Sequence, residues 1–347
     1  MNFNIQPINF NIANVRFKSN SNISQPKGSD LERNPKMDSF EMSIGYVNDA
    51  HGQTNNMMRI LSGIKGDLKL SAGDNDIGDE KNDAIHQATT KFLNIADIKA
   101  SALGNHEIDM SQKDCIDAIN RFNGLMLSIN FEQIPLEEQD PEDIQKYGRA
   151  DLKNHLTKSA VVEVKGQKIG LIGASPIDMM SRLTHPNYYT DCSVDDLDDT
   201  IELIQNEIDK FKEQNINKVI LVSHLGHKAD KFVAENIDGI DVIVGGHTHE
   251  LIKDIKEGEN LLYSKTGEPI IMTEAGRDGN YFGKLNLTFD KNGVITKAQN
   301  NLGETRLFHK NMINQYVFDN ILGVPEKVGY IKPVSYTHLR AHETRHD

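Results

Sequence analysis

Metal-type side chains recur along this chain wherever an apolar run of strand type ends. Asp49 and His51 lie in YVNDAHG, Asp74 in LSAGDND, Asn105 in ALGNHEID and His224 in LVSHLGH, with His247 and His249 in IVGGHTH. Loops leaving the carboxyl ends of strands are where open α/β sheets bind ligands, so residues distant in sequence can meet in one cleft. Imidazole, carboxylate and amide together suit first-row transition metals (Mn, Fe, Co, Ni or Zn) better than Mg or Ca alone. The set is too large for one tetrahedral ion and suits two ions sharing a bridging carboxylate. A lone His is more often core or surface, and a lone GD is usually a turn. Clustering carries the inference.

These positions need elements to hold them. Met42–Asn48 reads as a strand opening into the first ligand pair, and Lys99–Leu103 as a strand feeding GNHE. From Asp79 to Ala96 a helix places Ile85, Ala88, Phe92 and Ile95 on one face, with His86 to the side and solvated. Ser111–Phe122 reads as a helix begun by Ser111, with Cys115 on its core face, and Leu125–Asn130 as a strand. Residues 132–158 are charged and contain Pro, which suggests an insertion or a mobile loop. Val161–Val164 and Ile169–Gly173 form a hairpin across Lys165-Gly166. Ser193 reads as the cap of a long helix striped with Leu197, Ile201, Ile204, Ile208 and Phe211. Val219–Ser223 and Val242–Gly245 are buried-type strands, and Ile270–Glu274, Gly283–Asp290 and Gly293–Lys297 add later ones. Gly73, Gly104, Gly245 and Gly246 let the backbone turn tightly between strand and ligand.

Composition narrows the partners. The chain has 347 residues, 37% of them hydrophobic, and a mean hydropathy of −0.51. No run of about eighteen apolar residues occurs, so no membrane span is expected. A net charge of −13 argues against gripping a nucleic-acid polymer or an anionic membrane, since phosphate backbones are held by Lys and Arg. It leaves a small phosphorylated substrate open, because bound cations supply their own local field. Cys115 and Cys192 sit in no metal or redox spacing, and no disulfide between them is expected. Residues 1–42, rich in Asn, Ser and Gln, read as a disordered tail without the apolar stretch of a secretory signal, which suggests a cytoplasmic location by default.

The order D-x-H, GD, GNHE, H, GH-x-H resembles that of the calcineurin-like metallophosphoesterases. The finer wording (NDAHG, AGDNDIG, GNHEID, SHLGHKAD, IDVIVGGHTHE) is similar to their 5′-nucleotidase branch, over roughly residues 43–300. The resemblance implies an α/β fold, a four-layer αββα sandwich of two mixed sheets flanked by helices, over 43–305. It implies that Asp49, His51 and His249 hold one divalent transition-metal ion, that Asn105, His224 and His247 hold a second, and that Asp74 bridges them. It pairs His106, as the catalytic residue, with Asp109. The activity implied is hydrolysis of nucleotide monoesters. Phosphodiester cleavage of cyclic nucleotides or nucleotide sugars is the alternative within the same chemistry, and a non-catalytic metal-binding scaffold the alternative outside it. His227 reads as surface, Asp230 as a cap or orienting group, and Asn130 as either a cleft or a turn residue. Members of the branch are commonly exported and carry a C-terminal domain for the base, so 306–333 reads as a linker toward it. Val334–Asp347 instead resembles a translated sequencing adapter, and its His338, His342 and His346 are set aside as non-native.

Overall fold

The computed structural model describes residues 13–16, 39–77 and 83–307. In chain order the strands are β1 (Ala13–Arg16), β2 (Phe40–Val47), β3 (Leu68–Ser71), β4 (Ala100–Ala102), β5 (Leu125–Leu127), β6 (Phe131–Gln133), β7 (Ser159–Val164) and β8 (Gln167–Ala174). They continue with β9 (Cys192–Val194), β10 (Val219–Ser223), β11 (Val242–Val244), β12 (Leu261–Tyr263), β13 (Pro269–Thr273), β14 (Tyr281–Phe289) and β15 (Ile295–Glu304). The helices are α1 (Thr54–Gly63), α2 (Asp83–Ile95), α3 (Gln112–Arg121), α4 (Pro141–Tyr147), α5 (Leu197–Glu213) and α6 (His227–Asn236).

Two large mixed sheets form the body. One runs β1-β15-β14-β2-β3-β4-β5 and the other β12-β13-β11-β10-β8-β7. Within the first, β2, β3, β4 and β5 are parallel neighbours; within the second, β8, β10, β11 and β13 are. Parallel strands need both faces covered, and the core clusters show what covers them. Ile44, Leu70, Leu171, Val222, Val244, Ile271 and Leu285 meet between the sheets. Ile204, Ile208 and Phe211 of α5 and Val233 of α6 cover the second sheet from outside, while Met57, Ile60 and Phe92 of α1 and α2 cover the first. The result is the expected αββα stack. Every parallel strand in it sends its carboxyl end toward one edge, where the ligand loops emerge.

Several local readings need correction. Within the tail expected to lack structure, β1 pairs antiparallel with β15, from Ala13↔Asn300 to Arg16↔Lys297. An edge strand is held by backbone groups, so its polar composition gives no warning. The cap of α5 is Asp196, whose side chain accepts from Asp199 N; Ser193 lies three residues earlier, within β9. At the end of α2, Ile95 faces solvent while Leu93 and the following Ala96 are buried; His86 on α2 is buried too, 2.7 Å from Asp76. The stretch 132–158 is folded: Asp140 caps α4, Pro141 opens it and left-handed Gly148 ends it. Cys115 and Cys192 are free thiols that pack in one apolar cluster, Cys115 buried as its helical face required. The expectations for 308–347, and for the tail outside β1 and residues 39–42, fall outside the described residues.

Candidate metal centre

The ligand loops divide between the sheets. β2, β3 and β4 of the first deliver Asp49, His51, Asp74 and Asn105; β10 and β11 of the second deliver His224, His247 and His249. The first two loops run side by side past the strand ends, zipped by Asp49 N→Gly73 O, His51 N→Asp74 O and Gly52 N→Asn75 O, each 2.9–3.0 Å. Asp49, His51, Asp74, His247 and His249 all have φ between +46° and +77°. Side chains rarely adopt that left-handed region, and such outliers gather at functional sites. Gly104 is needed for a different reason: a Cβ there would sit 2.2 Å from Asp74 Oδ1.

Among the described residues, three overlapping groups bring one ligand atom per residue within 4.8 Å of one another. They are Asp49–His51–His249, His51–Asp74–His106 and Asp74–His224–His247. His224 donates from Nδ1 to the Ala72 carbonyl at 2.5 Å, which directs Nε2 to Asp74 Oδ2, 3.0 Å away. His249 Nε2 stands 3.4 Å from Asp49 Oδ1. His51 Nε2, His224 Nε2 and Asn105 Oδ1 are buried yet form no hydrogen bond. Buried polar atoms without partners are rare, and lone pairs converging on two carboxylates fit divalent cations.

The electrostatics agree with that fit. Burial disfavours charge on either ring. Even so, the carboxylates of Asp278, Asp74 and Asp49 lift His51 to about 10, and those of Asp74, Asp49 and Glu107 lift His224 to about 10. Burial also works against ionised Asp74, but the charges of His224 and His106 hold its carboxyl well below the usual range.

His106 stands beside this cluster. Its Nδ1 is 2.5 Å from Asp109 Oδ2, and Asp109 Oδ1 accepts from Thr184 N at 3.0 Å. Its Nε2 faces Asp74 Oδ2 at 4.0 Å. Burial lowers the tendency of this ring to protonate, yet Asp74 and Asp109 raise it above the ordinary value. A fixed tautomer and a stabilised imidazolium equip the ring to donate a proton.

The weaker sequence candidates resolve differently. Asp230 is buried and accepts from Ser223 Oγ at 2.5 Å, one residue before His224. His227 is half-buried, its backbone N donating to Thr248 Oγ1. Asn130 clamps Ser175 through its N and O and reaches Thr200. A cavity of about 370 Å³ bordered by His227, Lys231 and Glu250 opens nearby and contains none of the clustered ligands.

Sequence reasoning passed over four acids. Glu107 accepts from Asp74 N, Asn75 N and Gly104 N at 2.7–2.9 Å, tying two ligand loops together. Glu274 accepts from Glu250 N at 2.7 Å, behind the His247–His249 loop. Asp178 lies 3.2 Å from His247 Nε2, and Asp278 3.2 Å from His51 Nδ1. The neighbouring E in GNHE was a usable signal for the first; Asp278, in GRDGN, reads only as a turn.

The sequence profile of the calcineurin-like phosphoesterase family matches residues 42–251. The chain is similar to the "Probable 5'-nucleotidase" of Treponema pallidum, 28% identical over 313 residues that make up 80% of this chain and 49% of that protein. It is similar to the 5′-nucleotidase of Diplobatis ommata, 32% identical over 219 residues, 60% of this chain and 35% of the other. Among solved structures it resembles the 5′-nucleotidase precursor from Thermus thermophilus, with a TM-score of 0.63 and 23% identity over 76% of this chain and 54% of that one. The chain thus spans half or less of the length of the curated relatives named here.

Proposed function

The chain belongs to the calcineurin-like phosphoesterase family, and on that premise we propose that it hydrolyses phosphate monoesters of nucleotides with two divalent transition-metal ions. The observation that carries this reading is the chain of ligand groups that overlap at His51 and at Asp74, together with the orphaned His51 and His224 Nε2 atoms. Asp49, His51 and His249 would hold one ion, Asn105, His224 and His247 the other, and Asp74 both. When bound, the ions supply Lewis-acid activation of the phosphoryl oxygens and of the attacking water.

The remaining work falls to His106. Asp109 keeps its Nδ1 proton and holds the ring so that Nε2–H points toward the cluster. That proton can pass to the leaving nucleoside oxygen as the ester bond breaks, and Asp109 stabilises the imidazolium until it does. The presence of this pair argues against a scaffold without catalysis. The relatives named 5′-nucleotidase support nucleotides as the substrate class. The test is turnover on a panel of nucleoside monophosphates, cyclic nucleotides and nucleotide sugars, with metal content measured in parallel. Preferential release of phosphate from monophosphates is expected; cleavage of the diesters alone would overturn the monoester assignment.

A further inference from the structure

Asp278 belongs to none of the ligand motifs. It lies in the turn between β13 and β14, with φ +58°. Its backbone N donates to the Asp49 carbonyl at 2.6 Å, and its own carbonyl accepts from Asn56 Nδ2 at 2.7 Å. The residue is thus gripped by α1 and by the first ligand loop while its carboxylate reaches His51 Nδ1. His106 and His249 stand edge-on to that ring, with centroids 5.1 and 5.0 Å away. The opposite nitrogen, Nε2, is buried without a hydrogen bond and faces Asp49 Oδ1 at 3.8 Å and Asp74 Oδ2 at 3.6 Å.

In a neutral imidazole one nitrogen carries the proton and the other the lone pair. A carboxylate at Nδ1 keeps the proton there and leaves the Nε2 lone pair aimed into the cluster. His224 obtains the same tautomer from a neutral acceptor, the Ala72 carbonyl, so His51 differs in having a charged one. We propose that Asp278 is a positioning residue that fixes the ring orientation and tautomer of His51 for the ion held with Asp49 and His249. This rests on the two-ion reading above.

Two variants separate positioning from folding. Asp278→Gly removes the carboxylate at a backbone conformation glycine adopts freely, and Asp278→Asn keeps an acceptor oxygen there. Zn²⁺ is titrated calorimetrically into the metal-stripped full chain, and the His51 Nδ1–H is followed by ¹⁵N NMR in the Zn²⁺-loaded protein. The glycine variant should lose about 10–100-fold in affinity at one site only, the usual effect of removing such a partner. It should also lose the protected Nδ1–H signal, and Asp278→Asn should restore most of both. Wild-type affinities with an intact Nδ1–H in Asp278→Gly would overturn the proposal, as would equal losses at both sites. A wild-type chain that takes up only one ion refutes the two-ion reading alone; Asp278 is then judged by that ion's affinity and by the same signal.

Discussion

The two sheets contribute unlike halves to the cluster. The first supplies carboxylates, an amide, His51 and His106 on loops that hold one another through backbone hydrogen bonds and the Glu107 carboxylate. The second supplies only imidazoles, and two of these lean on the first half: His224 on the Ala72 carbonyl and His247, through its backbone N, on the Asp49 carboxylate. One half is self-supporting and the other is registered onto it. The packing between the sheets, not any one loop, therefore sets the distances across the site.

The sharpest break of this asymmetry is Asp74→Ala. Asp74 sits in the first half but faces ligands from both, so the variant should lose activity altogether and bind fewer than two ions. Elemental analysis that still finds two per chain would remove Asp74 from its bridging role. Next comes His106→Ala, which should lower turnover about a hundredfold while sparing metal content. The loss should shrink for esters with good leaving groups, as a comparison of nitrophenyl phosphate with a nucleotide would reveal.

Glu107→Gln probes the self-supporting half. An amide NH₂ turned toward backbone donors leaves at least one buried group unmatched, a cost of about 1–3 kcal/mol in stability. Chemical denaturation should show that cost, with weaker metal binding, and a stability equal to wild type would show that the loops do not need the clamp. The last test is pH dependence. Without ions, His51 and His224 are lifted to about 10 and Glu274 is pushed by burial to about 9. Stability from a raised group is complete below its unfolded value, about 6.5 for His and about 4.3 for Glu, and is lost as pH rises through the folded value. The melting temperature of chelator-treated protein should therefore begin to fall above about pH 4.3 through Glu274 and fall fastest from about pH 6.5, through the two histidines, to about 10. The gap to the metal-loaded protein should widen, because ligand rings must shed their protons to bind. A flat profile in chelator would contradict the charge balance described here.

How much of this was legible depended on which force sets each feature. The clustered side chains stood out because buried parallel strands such as VILVS and VIV are almost wholly apolar and stop abruptly at a polar residue or a glycine pair. The stripe of α5 was equally plain, with Ile204, Ile208 and Phe211 buried as its period required. α1 was not legible: TNNMMRILSG places polar residues in its first turn, and its helical state comes from packing Met57, Met58 and Ile60 beneath β14 and α2. β1 is fixed by backbone pairing, which side-chain patterns do not record. His86 is buried because Asp76, ten residues earlier, partners it. Asp278 reaches His51 across more than two hundred residues, a distance over which no local spacing rule operates.

The left-handed residues of the cluster carry an evolutionary corollary. Asp49, His51, Asp74, His247 and His249 occupy backbone conformations for which glycine is the unstrained choice. The backbone strain costs on the order of 1 kcal/mol at each. At Asp49 and Asp74 it is offset by the backbone N–H groups of His247 and His106 that their carboxylates accept, which leaves the three histidines as the positions stability alone selects against. Descendants released from catalysis should drift toward glycine at His51, His247 and His249 first, while Asn105, at φ −75°, gives no such gain and should be retained longer. Lost activity would then be recorded in a chain's glycines before its fold showed any change.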